Sequence, residues 1–243
     1  HWELPAGIGS MALREDGGAV LACVDGFFLF DFTTGTRTPI GNPEADDPET
    51  RFNDGKVDRW GRFIAGTADS KSAGEPRGAL YRLDHDLTWH KLDDGYGVSN
   101  GPCWSPDGDR FYVSDSRLGT IFAYDYDLDS GAISNRRIFA TTEKHDGLPD
   151  GATVDADGFR WSAIPIGGRI VRFAPDGSVA RALDAPVTWV TSVMFGGPHL
   201  DILYLTSLDP STKGITDAGP DEGGLFAVHG LSVTGLPEPR FAS

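Results

Sequence analysis

Five segments of this chain share one grammar: a strand-like run, a polar turn with Gly or Pro, a second strand rich in aromatics, a Gly-marked turn and a third strand. They are MALREDGGAVLAC…GFFLFD, KVDRWGRFIAG…GALYRLD, CWSPDGDRFYVSD…GTIFAYD, TVDADGFRWSAI…GRIVRFA and VMFGGPHLDILYLTS…GGLFAV. The turn glycines of the first four, Gly17, Gly61, Gly108 and Gly158, recur at intervals of 44, 47 and 50 residues. A four-stranded propeller blade takes up roughly 40–50 residues. No helical period interrupts the strands. Pro-Asp-Gly and Asp-Gly pairs supply hairpin turns, and RFYVSDS and ILYLTS alternate as half-buried strands do. A β-sandwich also uses many short strands, but it has no need of evenly spaced repeats with one internal order. The sequence therefore predicts an all-β propeller forming one domain over residues 1–243.

Charge restricts what such a propeller binds. The formal net charge is −15, and the 21 basic residues form no cluster able to neutralise a phosphate backbone. Neither nucleic acid nor an anionic membrane is expected as a partner, whereas cations are favoured near any carboxylate-lined opening. No apolar run approaches a membrane span, and the start HWELPAGIGS lacks the charged-then-apolar order of a secretory signal, so a cytoplasmic location is expected. Cys23 and Cys103 stand in apolar, strand-like surroundings and are expected to be reduced core residues. The oligomeric state is not legible here.

Counting back eight residues from Gly61, Gly108 and Gly158 reaches Asn53, Asn100 and Asp150. The first strand of each blade lines the central channel, so equal offsets place these three side chains at one level around one opening. Asn, Asp and Gly are also ordinary turn formers, and for any one position alone that reading is sufficient. Three in register point instead to two amides and a carboxylate converging on a hard or borderline divalent cation that keeps positions open for water or substrate. The six histidines are scattered without ligand spacing, and no phosphate loop or nucleophile elbow occurs. Phe52 and Trp161 are candidates either for the pocket wall or for the core.

Four ordered stretches, RFNDGKVDRWGRFIAGT, SNGPCWSPDG followed by FYVSDS, LPDGATVDADGFRWSA and FGGPHLDILYLTS, together resemble the regucalcin/gluconolactonase family of sugar lactonases. The resemblance covers essentially the whole chain and implies a six-bladed propeller. It implies that Asn100 and Asp150 bind one divalent metal cation (Ca, Zn, Mn, Mg or Fe(II)), with Asp150 also the catalytic general base. Arg51 and Asn53 would contact a small-molecule sugar lactone, with Asp54 beside them. The family's metal site also takes a Glu from a GEGP-type motif in the first blade, and no such motif is present; Glu3, in WELP, is at no channel offset. The first blade is accordingly expected to be incomplete, short of about 45 residues, and the activity of the chain weakened. A non-catalytic cation-binding protein would need the same oxygen ligands without the Arg51/Asn53 pair, and a protein-interaction propeller would need neither.

Overall fold

The computed structural model describes residues 1–71, 75–215 and 219–243. The four turn glycines have φ of 91°, 82°, 80° and 85°, a left-handed conformation that glycine adopts without a Cβ penalty. In blades two to four the turn closes identically: Gly61, Gly108 and Gly158 donate their N–H to Asp58, Ser105 and Asp155 three residues back. Each turn joins the first two strands of an antiparallel sheet.

The first sheet holds β1 (Ile8–Leu13), β2 (Ala19–Cys23), β3 (Gly26–Phe30) and β4 (Arg37–Gly41). The second holds β5 (Thr50–Val57), β6 (Phe63–Asp69), β7 (Gly78–Leu83) and β8 (Trp89–Tyr96). The third runs β9 (Ser99–Trp104), β10 (Arg110–Asp115), β11 (Thr120–Tyr126) and β12 (Ile133–Thr141). The fourth runs β13 (Ala152–Val154), β14 (Arg160–Ile164), β15 (Arg169–Phe173) and β16 (Val179–Asp184), and the fifth β17 (Val190–Gly196), β18 (Ile202–Ser207) and β19 (Leu225–Val228). The first strands of successive blades pack on one another in sequence. Apolar side chains fill the spaces between blades: Val20, Phe27, Phe52 and Phe63 between the first two, Ile64, Trp104 and Phe111 between the next, Trp161, Phe195 and Leu205 between the last two. Each fully buried aromatic of this kind contributes ~2–3 kcal/mol of burial.

Two expectations are corrected. Among the described residues the propeller has five blades, not six; the first is a complete four-stranded sheet and the three-stranded one is the last. The end of HWELPAGIGS supplies the first strand of that complete sheet. Gly9 and Ser10 belong to β1, while Trp2 and Leu4 lie on the outer face of blade one, with the Trp2 ring 5.7 Å from that of Phe30. At the turn-glycine end the C-terminal segment crosses the molecule. Gly235 bridges to Asp155, Phe241 to Arg14, and the Ala242 N–H reaches the Gly61 carbonyl. Both cysteines are buried and free, as expected. Among the described residues no helix is long and apolar enough to cross a membrane.

Candidate active site

The inner strands share a second device at their starts. β1 skips a step of register between Ile8 and Ser10, β5 between Phe52 and Gly55, β9 between Asn100 and Cys103, and β17 between Val190 and Ser192. In blade four the chain leaves the ladder at Gly151, whose N–H crosses to the Thr191 carbonyl at 2.9 Å. Such bulges re-aim side chains. Here they turn Asn53, Asp54, Asn100 and Asp150 into one cavity of about 410 Å³, with Val98 and Leu208 as its apolar walls.

Hydrogen bonds lock the amides. The Asn53 amide donates to Asn100 Oδ1 at 2.8 Å and to the Ser99 carbonyl at 2.9 Å. Asn100 Nδ2 donates to Ser116 Oγ at 2.8 Å, and that hydroxyl donates to the carbonyl of Pro149, next to Asp150. Held through one N–H by Ser116 and through Oδ1 by Asn53, Asn100 keeps a second amide-oxygen lone pair for the cavity. Arg51 is exposed; its Nη1 lies 3.2 Å from Asn53 Oδ1, on the rim rather than in the cavity lining. Among the described residues Arg51 forms no ion pair: Asp47 and Glu49 are held by Arg77 and Lys71. Phe52 and Trp161 belong to the core, the latter donating to Asp155.

The two carboxylates are electrostatically unusual. Asp54 accepts the Gly101 N–H and its neighbour Gly55 N–H, both at 2.8 Å, yet burial raises its pKa above the ordinary carboxylate value. Asp150 is pushed up to about 7, first by burial and then by the adjacent charge of Asp54. Among the described residues Asp150 has no cationic partner and its carboxylate accepts no side-chain hydrogen bond. A pair of crowded carboxylates beside an oriented amide oxygen is a donor set that a divalent cation satisfies, so these residues fit one. No group of three or more His, Cys, Asp or Glu capable of holding a metal occurs among the described residues, so the two carboxylates here would need further oxygen donors, of which the Asn100 amide oxygen is one. Ser116, which anchors Asn100, carried no sequence signal.

Five radial sheets with Asn53, Asp54, Asn100 and Asp150 lining one cavity at the channel mouth define an all-β propeller. The SMP-30/gluconolactonase/LRE-like sequence model matches residues 1–209, and the chain belongs to that family. It is 37% identical over 243 residues to regucalcin of Xenopus laevis, covering 98% of this chain and 81% of the relative. It is 40% identical over 238 residues to a pentonolactonase of Haloferax volcanii, covering 96% and 79%. Among solved structures it is similar to a calcium-binding regucalcin of Agrobacterium tumefaciens, with a TM-score of 0.88 at 28% identity over 99% of this chain and 81% of that one.

Proposed function

We propose that this chain hydrolyses sugar lactones to the aldonic acids, with one divalent cation bound by Asn100 and Asp150, as one cytoplasmic propeller domain. The carrying observation is the convergence of Asp150, a carboxylate without a cationic counterpart among the described residues, with Asn53, Asp54 and Asn100 in a single cavity. The kinship with a pentonolactonase supplies the substrate class. When bound, the cation polarises the lactone carbonyl and lowers the pKa of a water. Asp150 removes a proton from the attacking water as a new C–O bond forms at the carbonyl carbon. It returns that proton to the ring oxygen as the ester C–O bond breaks, leaving a carboxylic acid and a free hydroxyl. Asn53 and the forked donors of Arg51 orient the sugar hydroxyls, and Asp54 accepts from one of them.

The test is pH-stat hydrolysis of five- and six-carbon aldonolactones with Mn2+, with chelator, and with Asp150→Ala. Turnover abolished by chelator and by Asp150→Ala is expected. Full activity surviving both overturns the mechanism, and Mn2+ binding without turnover of any lactone favours a non-catalytic cation-binding protein.

A further inference from the structure

Facing the last residue of each inner strand, the second strand carries Ala19 in blade one, Phe63 in blade two, Phe111 in blade three and Ile202 in blade five. In blade four that position is Arg160, opposite Val154. Like Phe63 and Phe111 it turns toward the preceding blade, and it is 0% exposed. Among the described residues no carboxylate pairs with it; Nη2 donates to Ser114 Oγ at 2.8 Å and to the Gly101 carbonyl at 3.2 Å, and Nε and Nη1 have no partner. A buried guanidinium with only neutral acceptors is costly where an apolar side chain serves the other blades.

What it touches explains its presence. Gly101 sits at φ 58° inside the β9 bulge, immediately after Asn100, and its own N–H is the one Asp54 accepts. A Cβ there would lie 2.8 Å from Arg160 Nη2 and 2.7 Å from the Asp150 carbonyl, so the bulge is wedged between Arg160 and the segment bearing Asp150 that leads into β13. Ser114, the other acceptor, is the cross-strand partner of Asn100.

We propose that Arg160 is a positioning residue for the site: from blade four it holds the Gly101 carbonyl and Ser114, and so sets the bulge that aims Asn100 and Asp54 at the cavity. The proposal rests on the cation-dependent reading above, but its test needs no substrate. Mn2+ binding is titrated by electron paramagnetic resonance on the folded chain and on Arg160→Met, with circular dichroism confirming the fold. Arg160→Met is expected to weaken Mn2+ binding about tenfold, as loss of a residue supporting metal ligands does. Should Arg160→Met fail to fold, Arg160→Gln, neutral and able to keep one of the two hydrogen bonds, is read by the same criterion. An Mn2+ Kd within about twofold of the parent in the deciding folded variant overturns the proposal. If the parent binds Mn2+ but turns over no lactone, the lactonase reading falls while the Kd ratio still decides the role of Arg160. A parent that does not bind Mn2+ overturns both.

Discussion

Asp150→Asn keeps the shape of the side chain and deletes its charge, which makes the electrostatic cost of the site measurable without any substrate. At 1.36 kcal/mol per pH unit, a carboxyl raised from 3.8 to about 7 holds on the order of 4 kcal/mol. The folded pKa lies above the unfolded one, so this stabilisation is fully present below pH 3.8 and is lost as pH rises to about 7. The amide does not titrate, and its NH2 can donate to the Asp54 carboxylate that repels Asp150 in the parent. In chelator, Asp150→Asn is therefore expected to be more stable than the parent, and the difference to grow by roughly 3 kcal/mol between about pH 5 and about pH 8. Urea unfolding of both proteins at several pH values, followed by tryptophan fluorescence, reads it. Mn2+ at about 100 times Kd adds ~2.7 kcal/mol to the folded parent that the variant forgoes, so the variant's lead is expected to shrink by that amount near pH 8 and the order to reverse only near pH 5, where the lead in chelator is smaller. A difference that stays flat with pH, or an Asp150→Asn protein less stable than the parent in chelator near pH 8, would refute the account of Asp150 as a crowded, uncompensated carboxylate.

Gly101→Ala places a Cβ at φ 58°, 2.7 Å from the Asp150 carbonyl, and is expected to cost ~2–4 kcal/mol in urea unfolding; a variant as stable as the parent would contradict the wedged bulge. Asn53→Ala removes an amide oxygen that accepts from a sugar hydroxyl in substrate and transition state alike, its N–H groups being committed to Asn100 and Ser99, so KM should rise about five- to tenfold in lactone hydrolysis, and a fall in kcat alone counts against that role. Asp155, 0% exposed, accepts Trp161 Nε1 and the Arg172 guanidinium; Asp155→Ala should cost ~3–5 kcal/mol by thermal unfolding while the Mn2+ Kd of folded protein stays unchanged, since this network lies apart from the cavity.

The amides and Asp150 were legible because a hairpin fixes register. Once Gly61, Gly108 and Gly158 occupy the same turn in successive blades, residues at one offset behind them stand at one height in the channel, and a bulge common to the inner strands leaves that equality intact. The contribution of Asp54 was legible only through kinship. In a regular strand consecutive residues face opposite sides of the sheet, so Asn53 and Asp54 should not share a cavity; they do because β5 steps out of register between Phe52 and Gly55. A bulge depends on pairing with the neighbouring strand, which the local sequence Asn-Asp-Gly permits without specifying. The blade count was misread for a related reason, since WELP has no strand pattern and its role rests on where Trp2 packs, against Phe30 and Phe32.

Arg160 marks the limit of pattern reading. In FRWSA an arginine beside a tryptophan reads as the solvent-facing half of an alternating strand, and on an open sheet it would be. In a propeller both faces of a middle strand are covered by neighbouring blades, so alternation no longer separates inside from outside; it separates the preceding blade from the following one. Trp161 and Ala163 pack toward blade five, and Ile164 toward blade three, where Arg160 also meets Ser114 and Gly101. A polar residue on such a strand therefore cannot escape to water and must find partners at a blade interface. The β9 bulge supplies a backbone carbonyl there, because a bulge leaves ladder groups unpaired. The same irregularity that turns Asn100 toward the cavity thus exposes, on its far side, the carbonyl that Arg160 engages, so a charged residue at a core position and the geometry of the site have one structural cause.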